Sequence, residues 1–482
     1  MKCLILSENS NGVWPHLHFR SMGSYELRNR LEAKGHTATI IEWFTKWSKE
    51  QLKSVIDEYQ PDIIATSTPF HTQDLYYLKD ILTWVRKTYP DTQFIHGGSR
   101  QYDDEFEGLV DVFFLGRSME IFDAWLDNKD LTQYILQENP LVLVNHQFDE
   151  FVDNPVIPKL KDEDFISSKD ILGFELGVGC KFNCSFCNYE LRNAKITNLA
   201  DPKELHNYFL EAYEKYGVTN FFASDDTINE TDTKLEILAE AIRGLPYHPQ
   251  ITAYARLDLV TSKPKQLKLL EEINFRSLFF GIESFNPEAS KLIRKKSGIG
   301  DNIETLRKVK ENCDTYTVGG MILGLNGDSE ESIRSSVNQI IEEKLLSSIQ
   351  YYPLSITMPE GHYDPYFASD IDKDPESFDY KIIEVGHVHH GNKKLPQYIW
   401  KSNWTNFKEM AELQISLHTE IQDKIESLNH LEYAGMYALN LHSPMYTEKA
   451  RLQLQSQCYS YANALKSVYI EKKIYDLSFT KS

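Results

Sequence analysis

Apolar and amphipathic stretches take turns along the first 125 residues. Lys2 to Ser7 is a short apolar run that predicts a strand, and Tyr25 to Ala33 sets Leu27 and Leu31 at helical spacing before Lys34-Gly35 ends it. The pattern continues with a strand over His36 to Trp43, a helix over Lys49 to Tyr59, a strand over Asp62 to Thr68 and a helix over Thr72 to Tyr89. Strands over Gln93 to Gly97 and Val110 to Leu115 close the series. Such alternation predicts an α/β unit with a doubly wound parallel sheet, whose ligands sit beyond the carboxyl ends of the strands. Small and polar residues stand at those ends: Ser67-Thr68, Gly97-Gly98-Ser99, and Gly116-Arg117-Ser118 with Glu120. Glycine there lets backbone approach a ligand closely.

Residues 126–168 read as a linker, punctuated by Asn139-Pro140, Asn154-Pro155 and Ile157-Pro158 in an acidic stretch. Ile171 to Leu176 predicts a new strand, and helix and strand alternate again to about Ile356. Residues 358–482 read as mainly helical. Asn406 to Ser427 places Phe407, Met410, Leu413, Leu417 and Ile421 on one stripe, the pattern of a core-facing helix. Trp400, Trp404, Tyr433, Tyr437, Tyr459 and Tyr461 add aromatic character, and the region is expected to cap the second unit. Met358-Pro359-Glu360-Gly361-His362 is expected to face substrate. His387-Val388-His389-His390 lacks matching carboxylates and metal-ligand spacing, and reads as a polar loop.

Composition narrows the class. A chain of 482 residues with 41% hydrophobic content can build two or three domains. Its net charge of -20 argues against broad binding to nucleic-acid phosphates, and Arg294-Lys295-Lys296 reads as a solvated helix end. The N-terminal apolar run is too short for a signal segment, and no apolar run approaches a membrane span. Six cysteines do not form a secreted disulfide framework, so a reducing, cytoplasmic setting is expected.

The strongest chemical signal is the run Glu-Leu-Gly-Val-Gly-Cys-Lys-Phe-Asn-Cys-Ser-Phe-Cys, which holds Cys180, Cys184 and Cys187. Three thiolates on one short loop can bind three irons of a 4Fe-4S cube and leave the fourth iron open. A structural zinc site is the alternative. It needs four ligands, and Cys3, Cys313 and Cys458 are single and scattered. The CxxxCxxC spacing, with Phe186 before the last cysteine, resembles the cluster motif of the radical S-adenosylmethionine (SAM) superfamily. The resemblance implies that the open iron binds SAM and that one electron cleaves it to a 5'-deoxyadenosyl radical. It also implies a partial (βα)6 TIM-type barrel over residues 169–357, with its active site at the carboxyl ends of the strands.

Further resemblances follow residue by residue. Ser224-Asp225-Asp226 ends a strand where relatives contact the SAM amino group, and a helix cap is the alternative for Asp226-Thr227. Arg256 ends the strand Thr252 to Arg256 and is expected to hold the SAM carboxylate. Phe279 to Ser284 is similar to a Gly-Ile-Glu-Ser signature, with Glu283 expected at the SAM ribose. Gly319 to Ser329 is similar to the fifth-strand motif, with backbone at Gly324 and Leu325 expected against adenine. Asn326 and Asp328 depart from the Pro and Glu common there, and Asp328 or Ser329 is expected to cap the helix from Glu330. Residues 1–125 resemble the Rossmann-like, cobalamin-binding-type domain that precedes many radical SAM domains, with Ser67, Thr68, Gly97, Gly98 and Gly116 as the expected cobalamin contacts. The DxHxxG motif that supplies a cobalt-ligating histidine is absent. The whole implies an enzyme with a 4Fe-4S cluster, SAM and cobalamin that methylates a small-molecule or peptide substrate. Its electron donor would be a flavodoxin or ferredoxin. Rearrangement, cyclisation or sulfur insertion without cobalamin, or a non-catalytic iron-sulfur or zinc protein, stand as alternatives.

Overall fold

The computed structural model describes residues 1–8, 18–67, 75–99, 106–116, 118–144, 154–189, 192–193, 198–295, 299–357, 368–390, 393–422, 424–426, 428–440 and 448–479. Thr68, Arg117, Lys296 and the segment Met358 to His362 lie outside these residues.

Strands β1 (Lys2–Ser7), β2 (Thr37–Glu42), β3 (Ile63–Ser67), β4 (Gln93–Ser99), β5 (Val112–Leu115), β6 (Ile135–Gln137) and β7 (Leu141–Val144) form one sheet in the order β2-β1-β3-β4-β5-β7-β6. Every pairing is parallel except that of β6 with β7. Helices α1 (Met22–Ala33), α2 (Lys49–Tyr59), α3 (Leu75–Thr88) and α4 (Met119–Leu126) connect the strands. All four residues of β5 are buried, as expected of a parallel strand covered on both faces. The sequence reading placed residues 126–168 in a linker. Within that range, Leu141-Val142-Leu143-Val144 pairs beside β5 because its apolar side chains bury on the growing sheet edge.

The second sheet is wholly parallel, in the order β13-β12-β11-β10-β9-β8. Its strands are β8 (Ile171–Phe174), β9 (Asn220–Ala223), β10 (Gln250–Arg256), β11 (Ser277–Glu283), β12 (Tyr316–Leu323) and β13 (Ser348–Pro353). Helices α5 (Pro202–Tyr216), α6 (Asp232–Ile242), α7 (Leu257–Ser262), α8 (Pro264–Ile273), α9 (Pro287–Leu292), α10 (Ile299–Asn312) and α11 (Glu330–Glu343) alternate with them. Local chemistry sets their ends. Asp201 accepts from the amides of Lys203 and Glu204 ahead of Pro202, and Gly217 closes α5 at φ +70°. Ser329 caps α11 in a capping box with Ser332. Ile251, Ala253 and Ala255 of β10 face the outer helices, whereas Phe222, Tyr254, Phe279 and Val318 face the concave side.

The remaining elements are α12 (Asp370–Lys373), β14 (Lys381–His390), β15 (Lys393–Lys401), α13 (Phe407–Ile421), α14 (His430–Ala438) and α15 (Glu448–Phe479). Two results differ from the helical cap expected here. First, β14 and β15 pair as an antiparallel ribbon, and His387, His389 and His390 belong to its first strand. Second, α14 lies on the concave face near the amino ends of the strands, opposite the mouth. The Ser277 hydroxyl donates to His430 O at 3.2 Å, and Tyr433 stacks on Tyr316 at 3.9 Å. The apolar side chains of α14 pack on aromatic strand residues at this end, so the segment is a floor rather than a lid. α15 runs from that floor, where Cys458 and Ala462 pack, to the first sheet, where Tyr469, Ile470 and Leu477 pack.

Candidate functional site: a three-cysteine loop beside an interdomain cavity

β8 delivers its chain at Phe174 into the loop that carries Cys180, Cys184 and Cys187, all three free thiols. Three anchors hold this loop. Asp225, just past β9, accepts the Leu176 amide at 2.8 Å and the Gly177 amide at 3.1 Å, and it pairs with Lys234 of α6. Glu230 accepts the Lys181 amide at 2.7 Å while the Lys181 ammonium donates to Glu230 O at 2.8 Å. Lys234, only 1% exposed, lies 3.7 Å from Glu230 and so ties both carboxylates together. The third anchor comes from the C-terminal region. Ile371 N donates to Ser185 O, Arg192 to Cys187 O, and Arg294 to Asn183 O, while Asp370 pairs with both arginines.

The thiols differ in surroundings. Cys180 Sγ lies 3.8 Å from Thr227 Oγ1, Cys187 Sγ accepts the Tyr189 amide at 3.4 Å, and Cys184 Sγ accepts from Arg256 at 3.1 Å. Burial pushes the Cys180 thiol up to about 11 and raises Cys187 as well, so these groups become thiolates only with compensating positive charge. Among the described residues no three His, Cys, Asp or Glu side chains converge as for a single metal ion. In a 4Fe-4S cube each thiolate takes a separate iron, so three ligands need not meet at one point. Phe186 packs partly buried against the main core at the base of the loop.

Several residues expected at SAM have other work in the structure. The Asp225 carboxylate anchors the loop, because backbone amides and a buried ammonium surround it. Asp226 beside it is exposed, and it caps no helix: α6 starts at Asp232 behind Thr231. Arg256 makes a two-point pair with Asp258, at 3.0 and 2.7 Å, and its guanidinium lies 4.0 Å from the Phe182 ring centroid. Glu283 sits at φ +64° on the concave face and pairs with Lys295 at 2.9 Å. Lys295 is 6% exposed, so the expected solvated helix end is instead a pinned segment. Gly324, at φ +96°, leaves no room for a Cβ, which would stand 2.4 Å from Trp400. The carbonyls of Gly324 and Leu325 accept from Tyr380 and Trp404, which flank the C-terminal ribbon. Ser329 makes the helix cap, while Asp328 accepts from Ser284 at 2.8 Å, its carboxyl pushed up to about 7 by burial.

A cavity of about 320 Å³ lies between the two sheets. Ala65 and Thr66, Gly97, and Gly116 with Ser118 line it at the carboxyl ends of β3, β4 and β5, and Met22 to Ser24 line it at the start of α1. Glu175 and Ser224 close the far side, and each directly precedes a loop-anchoring residue, Leu176 and Asp225. Ser67 and Gly98 are neighbours of this lining within β3 and β4. Sequence reasoning missed Glu230, Lys234, Asp258 and Asp370. One signal was present: Lys234 is a cation at the buried face of α6, four residues after Glu230.

The comparisons fit this arrangement. Residues 174–340 match the family model described as the Radical SAM superfamily, so the chain carries a radical SAM domain. The chain is similar to the hopanoid C-2 methylase of Rhodopseudomonas palustris (strain TIE-1), 24% identical over 200 residues that cover 39% of this chain. That alignment spans 38% of the length of the methylase. The hopanoid C-3 methylase of Methylococcus capsulatus (strain ATCC 33009 / NCIMB 11132 / Bath) is 21% identical over 355 residues, 70% of this chain and 68% of that protein. The fold is that of the radical SAM methyltransferase TsrM from Kitasatospora setae, solved with tryptophan substrate and a SAM analogue. The TM-score is 0.66 at 14% identity, covering 96% of this chain and 99% of that one. No helix among the described residues is long and apolar enough to cross a membrane.

Proposed function

We propose that the protein is a radical SAM enzyme that methylates a small-molecule or peptide substrate with the help of cobalamin. Cys180, Cys184 and Cys187 are the proposed cluster ligands, and Asp226 and Glu283 the proposed groups at SAM. The residues around the cavity fit a corrinoid: small side chains at Ala65, Thr66, Gly97 and Ser118 stand beside apolar Ile5, Ile95, Phe114 and Phe122, and Gly116 turns the chain at φ +65°. When bound, the cluster supplies one electron to SAM and the corrinoid a methyl-carrying cobalt. The chain itself fixes the loop through Asp225, Glu230 and Lys234, and presents Glu175 and Ser224 to the cavity.

One observation carries the reading: a single cavity touches both the strand ends of the first sheet and the residues that begin the cysteine loop. The test uses protein purified and cluster-reconstituted without oxygen, mixed with hydroxocobalamin and desalted. One corrinoid is expected to stay per chain, and reductant-dependent 5'-deoxyadenosine is expected to vanish in Cys184→Ala. No retention would end the methylation reading and turn the search to cobalamin-independent radical chemistry.

A further inference from the structure

Arg256 stands at the carboxyl end of β10, 7% exposed, and one of its terminal nitrogens is 3.1 Å from Cys184 Sγ. The backbone at this position is locked, since the Asn229 side chain accepts from Arg256 N and donates to Arg256 O, both at 2.9 Å. The guanidinium is locked too. Asp258 takes its Nε and the other terminal nitrogen, and Phe182 from the cysteine loop lies against its face. Of the three N–H groups that Asp258 leaves, one on the second terminal nitrogen points at a sulfur.

We infer that Arg256 sets the reduction potential of the cluster through this N–H to Cys184 Sγ. The inference rests on the proposed cluster ligation and replaces the SAM carboxylate as the partner of this arginine. Reduction adds one electron and no proton to the cluster, and part of the added charge resides on its sulfurs. A donor held against one of them stabilises the reduced form more than the oxidised one. The paired Asp258 balances the cation, so what remains is an oriented N–H dipole that needs no rearrangement when the electron arrives. Arg256 is a positioning residue in this sense, acting on the electron through Cys184.

The test is a dithionite titration of the reconstituted full-length protein without SAM, followed by electron paramagnetic resonance. Wild type is compared with Arg256→Met and Arg256→Lys at matched iron and sulfide content. Arg256→Met is expected to move the midpoint to a more negative potential, and Arg256→Lys, which keeps the cation but not the fork, to fall between the two. An unchanged midpoint in Arg256→Met overturns the inference. If that variant assembles no cluster, a wild-type midpoint in Arg256→Lys overturns it. A variant that keeps the midpoint but loses SAM affinity returns the arginine to the SAM carboxylate. Absence of any cluster in wild-type protein overturns the ligation itself, a result distinct from equal midpoints.

Discussion

Around the Asp225 carboxylate stand two loop amides and the ammonium of Lys234, all excluded from water. Removing one partner of a buried pair strands the other, a loss of about 3–5 kcal/mol. Asp225→Asn is therefore expected to lower unfolding free energy by about that amount and to reduce iron retained after reconstitution. Urea denaturation and iron analysis check both, and full iron content would show that the loop does not depend on this anchor. Gly324 makes a second case. Its φ of +96° costs a side-chain-bearing residue about 1–3 kcal/mol, before the contact with Trp400 is counted. Gly324→Ala should lower stability by at least that range in the same assay. The sequence does not show what stands on the Cβ side of Gly324: Trp400, from a strand 76 positions further on, since 400 − 324 = 76.

At the scale of elements, β1 to β5 and the second sheet were legible because buried strands are continuous apolar runs and their helices are amphipathic. The second sheet has six strands, the number expected of the partial barrel. The ribbon and the floor were not legible, because helical periodicity shows that a face is buried and not what buries it. α14 carries a consequence of that floor. His430 is 2% exposed, its two ring nitrogens have no hydrogen-bond partner among the described residues, and Tyr254 and Phe279 flank it. Burial pushes its pKa from 6.5 down to about 3. The unfolded chain therefore binds a proton near pH 6.5 that the folded chain refuses, so stability falls as pH drops from about 6.5 toward 3. Between about pH 7.5 and 5.5 this group alone should remove about 1.4 kcal/mol, one pKa unit's worth. His430→Phe is expected to lack that increment and to be more stable than wild type at both pH values, since it removes two unsatisfied polar atoms. Parallel pH dependences for wild type and variant would mean that His430 is hydrated.

Across the whole molecule the two sheets are stitched together rather than tethered. Residues 18–20 run along the edge of the second sheet, with Ile171 N donating to His18 O at 2.9 Å and Arg20 N to Ile171 O at 3.2 Å. Gly173 leaves the space that Met22 fills, and Met22 also lines the cavity. Arg28 of α1 pairs with Asp164, ahead of β8, through contacts of 2.5 and 3.0 Å, and both side chains are buried. α1 thus carries one wall of the cavity at its start and an interdomain ion pair one and a half turns later. Asp164→Asn leaves the Arg28 charge buried without its partner, so a stability loss of about 3–5 kcal/mol is expected, against none for the exposed pair of Lys53 and Asp57. The distinguishing expectation concerns ligands. A cavity built by two bodies loosens when the tie between them loosens, whereas the cysteine loop keeps its anchors on β9, α6 and α12. Asp164→Asn, studied at a temperature where it remains folded, should therefore retain less hydroxocobalamin than wild type while binding the same iron and forming 5'-deoxyadenosine at a similar rate. Equal loss of corrinoid, iron and 5'-deoxyadenosine would instead make the two sheets one cooperative unit, in which no part of the site can be weakened alone.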